Sequence, residues 1–245
     1  MFADMKITFV GSSHGVPEAN RKCTSMLLEV GEKAYFIDMG TPGIDFLRTK
    51  GVPVEAVQGI FITHMHGDHT NGLISFVDLI TWYFKKADPV ICLPMIEAAG
   101  VIDQWLKVTI NGNEREVRYR QTEEGVVYDD GTIKVTAYAT QHCLRSFGYL
   151  VEAEGKAVLF TGDLKNPGID MPKALFEQKI DLMVCESAHF PATDYLPVLE
   201  KANVGRVCIT HYSDTFLASV LQAEKELRGK GTPALHATDG LELTV

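Results

Sequence analysis

What the 245-residue chain lacks already narrows it. It has five cysteines, at 23, 92, 143, 185 and 208, an odd number with no Cys-x-x-Cys pair. That excludes a disulfide scaffold and points to a reduced, cytoplasmic compartment. No stretch of about 18 apolar residues exists, so nothing is expected to span a membrane. The start, Met-Phe-Ala-Asp-Met-Lys, lacks the long apolar core of a signal peptide. Positive charge is in deficit, with a net −9, which argues against a broad surface for extended duplex nucleic acid. Gly11-Ser-Ser-His-Gly15 is not a phosphate loop, because the G-x-x-x-x-G-K-[ST] pattern is missing. His14 within it either lines a site mouth or is a hydrogen-bonded loop histidine. There is no internal repeat and no low-complexity linker. With 46% hydrophobic and 22% charged residues, one globular domain over residues 1–245 is the expectation.

Histidine, in contrast, is concentrated. Ile60-Phe-Ile62 stops at a turn carrying His64, His66, Asp68 and His69, with Gly67 between. A short apolar run ended this way reads as a buried strand. Residues i and i+2 of a strand share a face, so His64 and His66 can grip one cation. Asp68 and His69, after the turn, can reach a second. Imidazole and carboxylate suit zinc, manganese or iron.

The same pattern, a strand delivering a ligand-type residue, recurs at 60–64, 134–142, 157–163, 181–186 and 206–211. It presents His142, Asp163, Glu186 and His211. In α/β sheets such strand ends converge on the site. Asp38, at another strand end, either orients a ligand histidine or caps a turn. Helices are expected over Pro42–Thr49, Leu73–Lys86, Pro94–Leu106 and Thr215–Arg228. Trp82 and Tyr83 either cover a pocket or belong to the core. Lys107–Ile110 and Glu114–Arg120 read as a hairpin about Asn111-Gly112-Asn113. Its Arg115, Arg118 and Arg120 either steer an anion or form a solvated face. Ala237–Val245 reads as a last strand.

H-x-H-x-D-H, followed by a lone His, a lone Asp and a final His, resembles the metallo-β-lactamase superfamily. The resemblance implies a four-layer αββα sandwich with two divalent metals, zinc first and manganese or iron as alternatives, at one edge of the sheets. It implies His64, His66 and His142 on one metal, Asp68, His69 and His211 on the other, and Asp163 bridging. More narrowly, Phe9–Pro17, Ser146–Tyr149, Cys185–Ala188 and Ile209–Ser213 are similar to the ribonuclease Z and cyclic phosphodiesterase branch. Residues 190–208 hold no histidine and 107–125 no Gly/Pro-rich arm, two differences from ribonuclease Z. A phosphodiesterase for smaller substrates is therefore the better match.

The expected chemistry is attack on a small or short nucleotide phosphodiester by metal-activated water. Asp68 would orient the nucleophile. His189, three residues past Glu186, would protonate the leaving group, or else merely bond its own loop. The rivals are a carboxylic ester, lactone or thioester hydrolase on the same metals, and a metal-stabilised binding module without turnover. A β-lactamase fits the compartment poorly, and an oxygen-reducing di-iron protein would want a carboxylate at position 66. A homodimer is compatible with all of these.

Overall fold

The computed structural model describes residues 4–109 and 115–245. Its strands fall into two seven-stranded sheets. The first contains β1 (Met5–Gly11), β2 (Ser25–Val30), β3 (Lys33–Met39), β4 (Val57–Phe61), β5 (Val90–Leu93) and β6 (Arg118–Gln121). The second contains β7 (Gly125–Asp129), β8 (Lys134–Ala139), β9 (Phe147–Ala153), β10 (Lys156–Phe160), β11 (Leu182–Ser187), β12 (Val207–Tyr212) and β13 (Ala234–His236). The last strand, β14 (Glu242–Thr244), crosses back to pair antiparallel with β1.

Each sheet opens with antiparallel hairpins and continues with parallel strands. The hairpins need turn residues in the left-handed region, and Glu154 (φ 52°) with Gly155 (φ 74°) supplies them between β9 and β10. The parallel steps need crossovers. Helices α1 (Gly43–Lys50), α2 (Gly67–Trp82) and α3 (Glu97–Val108) provide them for the first sheet. Short helical turns and the closing helix Leu217–Gly229 serve the second.

Three apolar clusters separate the layers. One, with Phe9, Tyr35, Phe61, Tyr149 and Phe160, fills the space between the sheets. The second packs α1–α3 on one outer face, and the third packs the remaining helices on the other. The architecture is thus a four-layer αββα sandwich. Across the central layer Phe61 meets Tyr128 edge to face at 5.3 Å. Buried Tyr149 donates to the Ile62 carbonyl at 2.7 Å, and Phe147 N–H to Thr63 O at 2.9 Å. These bonds pin the end of β4, where the histidines begin, to the opposite sheet. Among the described residues no helix is long and apolar enough to cross a membrane.

Three expectations are corrected. Lys107 and Val108 end α3 rather than starting a hairpin, and Arg118–Gln121 is an edge strand parallel to β5. The Asn111-Gly112-Asn113 turn lies outside the described residues. Residues 237–245 are not one strand, because Ala237 follows β13 of one sheet while β14 belongs to the other. Trp82 and Tyr83 are exposed and stack on each other at the far end of α2, roughly 20 Å from Asp68 at about 1.5 Å per residue. They cover nothing at the site.

Candidate metal centre

His64 and His66 follow β4 directly, and His66 is the N-cap of α2, so Asp68 and His69 occupy its first helical turn. The turn can sit close because two glycines leave room. A Cβ on Gly40 would lie 1.7 Å from the Asp68 carbonyl oxygen, and one on Gly72 2.2 Å from that of Thr41. His142 follows β8, Asp163 follows β10, Glu186 lies in β11 and His211 in β12. His211 (φ 49°) and Asp38 (φ 56°) hold left-handed backbone at these strand ends. That conformation is strained for any residue with a Cβ and is concentrated here at the site.

All seven residues expected as ligands come together. His64, His66 and His142 form one close group, Asp68, His69 and His211 a second, and His64, His69 and Asp163 a third, each with its ligand atoms within 4.8 Å of one another. Asp163 Oδ2 is the hub. It lies 3.3 Å from His211 Nε2, 3.5 Å from His69 Nε2, and 3.7 Å from both His64 Nε2 and His142 Nε2. His66 Nδ1 faces His64 Nε2 at 2.9 Å and His142 Nε2 at 3.2 Å.

Hydrogen bonds behind the site decide which nitrogens face inward. Asp38 accepts His69 Nδ1–H at 2.8 Å and the Thr63 hydroxyl at 2.9 Å. That hydroxyl has one proton, already given to Asp38, so its oxygen accepts from His64 Nδ1 at 3.1 Å. The Ser13 carbonyl takes His211 Nδ1–H at 3.0 Å. The Nε2 lone pairs of His64, His69 and His211 are therefore all turned to the centre. His69 Nε2 is buried there without a hydrogen-bond partner. An orphaned buried acceptor facing carboxylates has no stabilising contact unless a cation lies between them. The donor set fits a divalent metal.

The electrostatics agree at His64, His142 and the two carboxylates. Burial, then the neighbouring imidazoles, pushes His64 down to about 2, so it is a neutral donor at pH 7. Burial lowers His142 as well. Burial opposes charge on Asp163, but His211 and His69 outweigh it and hold the carboxyl well below its usual range. Asp68 is likewise lowered against its burial, by His69 and then His211. His69 and His211 go the other way: burial opposes their charge, but Asp163, joined at His69 by Asp38, outweighs it and raises both, so a metal there competes with a proton. Neutral imidazoles and ionised carboxylates are the forms that bind metal.

Glu186 sits beside this cluster, and His189 makes a fourth close group with His142 and Asp163. Glu186 is buried, and its Oε1 accepts Leu164 N–H at 2.6 Å. Its Oε2 accepts Ala188 N–H at 3.0 Å and His189 Nδ1–H at 2.8 Å. His189 thus bonds a carboxylate rather than its loop backbone, and lies 3.9 Å from Asp163 Oδ2 with its ring 4.6 Å from that of His142. The Glu186 bond raises the His189 pKa. His14 stays at the loop, 3.3 Å from Glu18. Arg115 and Arg118 pair with Asp88, and Arg120 donates to the Val127 carbonyl, so none of the three faces the site. Thr63 and Ser13 were not foreseen. They act through a hydroxyl and a backbone carbonyl, which carry no residue-type signal.

A family model described as Anti-Pycsar protein Apyc1 matches residues 5–228. Ribonuclease Z of Listeria innocua is 28% identical over 170 residues, covering 68% of this chain and 55% of that protein. The chain thus spans about half the length of the curated relatives it matches. Among solved structures, the metallo-β-lactamase fold protein YhfI from Bacillus subtilis superposes with a TM-score of 0.76 at 17% identity, over 99% of this chain and 100% of that one. Zn(2+)-bound PqqB from Methylobacterium extorquens superposes at 0.70 with 13% identity, over 98% and 100%. These structural likenesses speak for the fold. Taken with a family match over most of the chain and a His/Asp cluster that fits metal, they identify a chain of metallo-β-lactamase fold that belongs to the family described as Anti-Pycsar protein Apyc1.

Proposed function

We propose that this chain is a dinuclear metal-dependent phosphodiesterase whose substrate is a cyclic nucleotide. One observation carries the reading. Asp163 Oδ2 sits among four imidazole nitrogens while His189, held by Glu186, faces the same oxygen. That arrangement supports a metal site with a proton donor beside it. The substrate class follows the family match. It agrees with a net charge of −9 and with arginines spent on Asp88, which leave little to hold a polyanion.

In this reading His64, His66 and His142 hold one divalent ion, Asp68, His69 and His211 the other, and Asp163 is shared. Zinc is the first ion to test and manganese or iron the next, since imidazole and carboxylate accept all three. Bound metals supply a nucleophile from water near neutral pH and a Lewis acid for the phosphoryl oxygen. The protein does the rest. Asp68, in the first turn of α2, orients the attacking water. His189 protonates the departing ribose oxygen, and Glu186 keeps the imidazole aimed and charged.

The test is a panel on the zinc- or manganese-loaded protein. It sets 2′,3′- and 3′,5′-cyclic nucleotides and bis(p-nitrophenyl) phosphate against p-nitrophenyl acetate, a lactone and a thioester. Cyclic nucleotides should be the best substrates by kcat/KM. Faster turnover of the carbon esters would reassign the site to ester hydrolysis. Metal binding with no turnover across the panel would make it a binding module.

A further inference from the structure

Asp170 belongs to neither metal group, yet it ties two ligand loops together. It closes a one-turn helix, Pro167–Asp170, and is 7% exposed. Its Oδ2 accepts the backbone N–H of Gln141 at 2.8 Å and that of Lys165 at 3.0 Å, while Oδ1 accepts that of Asn166 at 3.1 Å. Gln141 immediately precedes His142, and Lys165 follows Asp163 by two positions. One buried carboxylate oxygen therefore joins the loop that delivers His142 to the loop that delivers Asp163.

The two loops depend on it unequally. The Asp163 loop has a tie of its own, since Leu164 N–H goes to Glu186 at 2.6 Å, and both loops share a second link, the Thr140 hydroxyl to the Asp163 carbonyl at 3.1 Å. On the other loop Ser146 holds Thr140 at 2.8 and 2.9 Å, but next to His142 itself the ties are the Gln141 bond to Asp170 at 2.8 Å and the longer Cys143 N–H bond to Ser146 Oγ at 3.3 Å. Among the three imidazoles whose rings cluster at 4.5–5.0 Å, His142 is less open than His66 and more open than His64. Its ring packs on those of His64, His66 and His189, so the Gln141 bond adds a backbone tie to that side-chain packing.

We propose that Asp170 is a positioning residue for the metal centre. It holds His142 within reach of the ion that His64 and His66 would bind, and so sets the affinity of that one metal position. The proposal rests on the two-metal reading above. Outer partners of metal ligands typically contribute 10–100-fold in affinity through such orientation. Here the partner acts through backbone amides, so the expected effect is at the lower end.

The experiment uses the zinc-loaded protein. Parent, Asp170→Ala and Asp170→Asn are challenged with a rising concentration of chromophoric chelator, and the zinc equivalents released are counted at each step. In Asp170→Ala one equivalent should leave at about tenfold lower chelator concentration while the other leaves as in the parent. Asp170→Asn, which keeps one acceptor oxygen, should fall between the two. Asp130→Asn, remote from the site, loosens the fold elsewhere and should release both equivalents as the parent does. Equal loss of affinity at both positions, or parent-like release from both Asp170 variants, overturns the proposal. Should the alanine variant not fold, parent-like release from Asp170→Asn overturns it alone. A parent that retains no zinc overturns the two-metal reading itself, which separates the two failures.

Discussion

Asp38 accepts the Nδ1–H of His69 at 2.8 Å, from the side of the ring opposite Asp163. Through the Thr63 hydroxyl the same carboxylate also fixes the tautomer of His64. A residue with no place in either metal group thus aims a nitrogen from each of them. Asp38→Ala should lower metal content after dialysis against dilute chelator by about 10–100-fold in affinity at both positions. Asp38→Asn, which tolerates the left-handed backbone at φ 56°, should lose less. Equal retention in parent and Asp38→Ala would show that ring packing alone orients the histidines.

His189 is tested through the leaving group. A ribose alkoxide needs a proton as it departs, whereas p-nitrophenolate does not. His189→Asn should therefore lower kcat on a cyclic nucleotide by about 10²–10⁴-fold. Turnover of bis(p-nitrophenyl) phosphate should be nearly unchanged, with zinc content at the parent level. Glu186 raises the His189 pKa, so Glu186→Gln should show the same substrate split in milder form. An equal loss on both substrates would assign His189 to binding instead of proton transfer.

How much of this was legible beforehand differs by residue. His64, His66, Asp68 and His69 announced themselves because an apolar run ended in metal-ligand chemistry within six positions. His142, Asp163 and His211 followed from one repeated pattern, and the structure brings all three to the same place. Strand β5 was missed because four residues, Val90–Leu93, are too few to show a period. Gly67 read as a turn residue, and the helix was expected to begin only at Leu73, after Gly72. Instead both glycines lie inside α2, where Gly72 is needed for a close approach to Thr41, a contact that no local pattern encodes. Asp170 carried no signal, because its partners are backbone amides brought near it only by the fold.

The glycine contrast can be measured directly. Gly72 and Gly100 are both helical, but a Cβ on Gly72 would lie 2.2 Å from a carbonyl oxygen while one on Gly100 meets nothing within 4 Å. Gly72→Ala should cost at least about 1–3 kcal/mol in urea unfolding, as overpacking does. It should weaken zinc binding too, since α2 carries Asp68 and His69. Gly100→Ala should stabilise by about 0.5–1 kcal/mol, the helix-propensity gain on an exposed face. A Gly72→Ala protein as stable as the parent would mean that α2 can shift outward without loss.

Asp130 gives stability a pH dependence that arises away from the metal site. Its Oδ2 accepts Tyr35 OH at 2.8 Å and Lys33 Nζ at 2.9 Å from the first sheet, while Oδ1 accepts Thr132 and Ile133 N–H at 2.9 and 3.0 Å in the β7–β8 turn of the second. Burial disfavours the charge, but the bonds from Ile133, Lys33 and Tyr35 prevail and hold the carboxyl down at about 2. An unfolded aspartate titrates near about 3.9. The folded value is the lower one, so this contribution is fully present above about pH 4 and is lost as pH falls towards 2. At about 1.4 kcal/mol per pKa unit this is at most about 2.6 kcal/mol, and solvent screening at the partly open turn makes it smaller. Asp130→Asn should therefore melt several degrees below the parent at pH 6, with the gap closing as the pH is lowered to about 2.5. Zinc loss at low pH affects parent and variant alike, so it cancels in the difference. A gap that stayed constant with pH would mean that the amide is simply a poorer fit, and that charge on Asp130 does not hold the two sheets together.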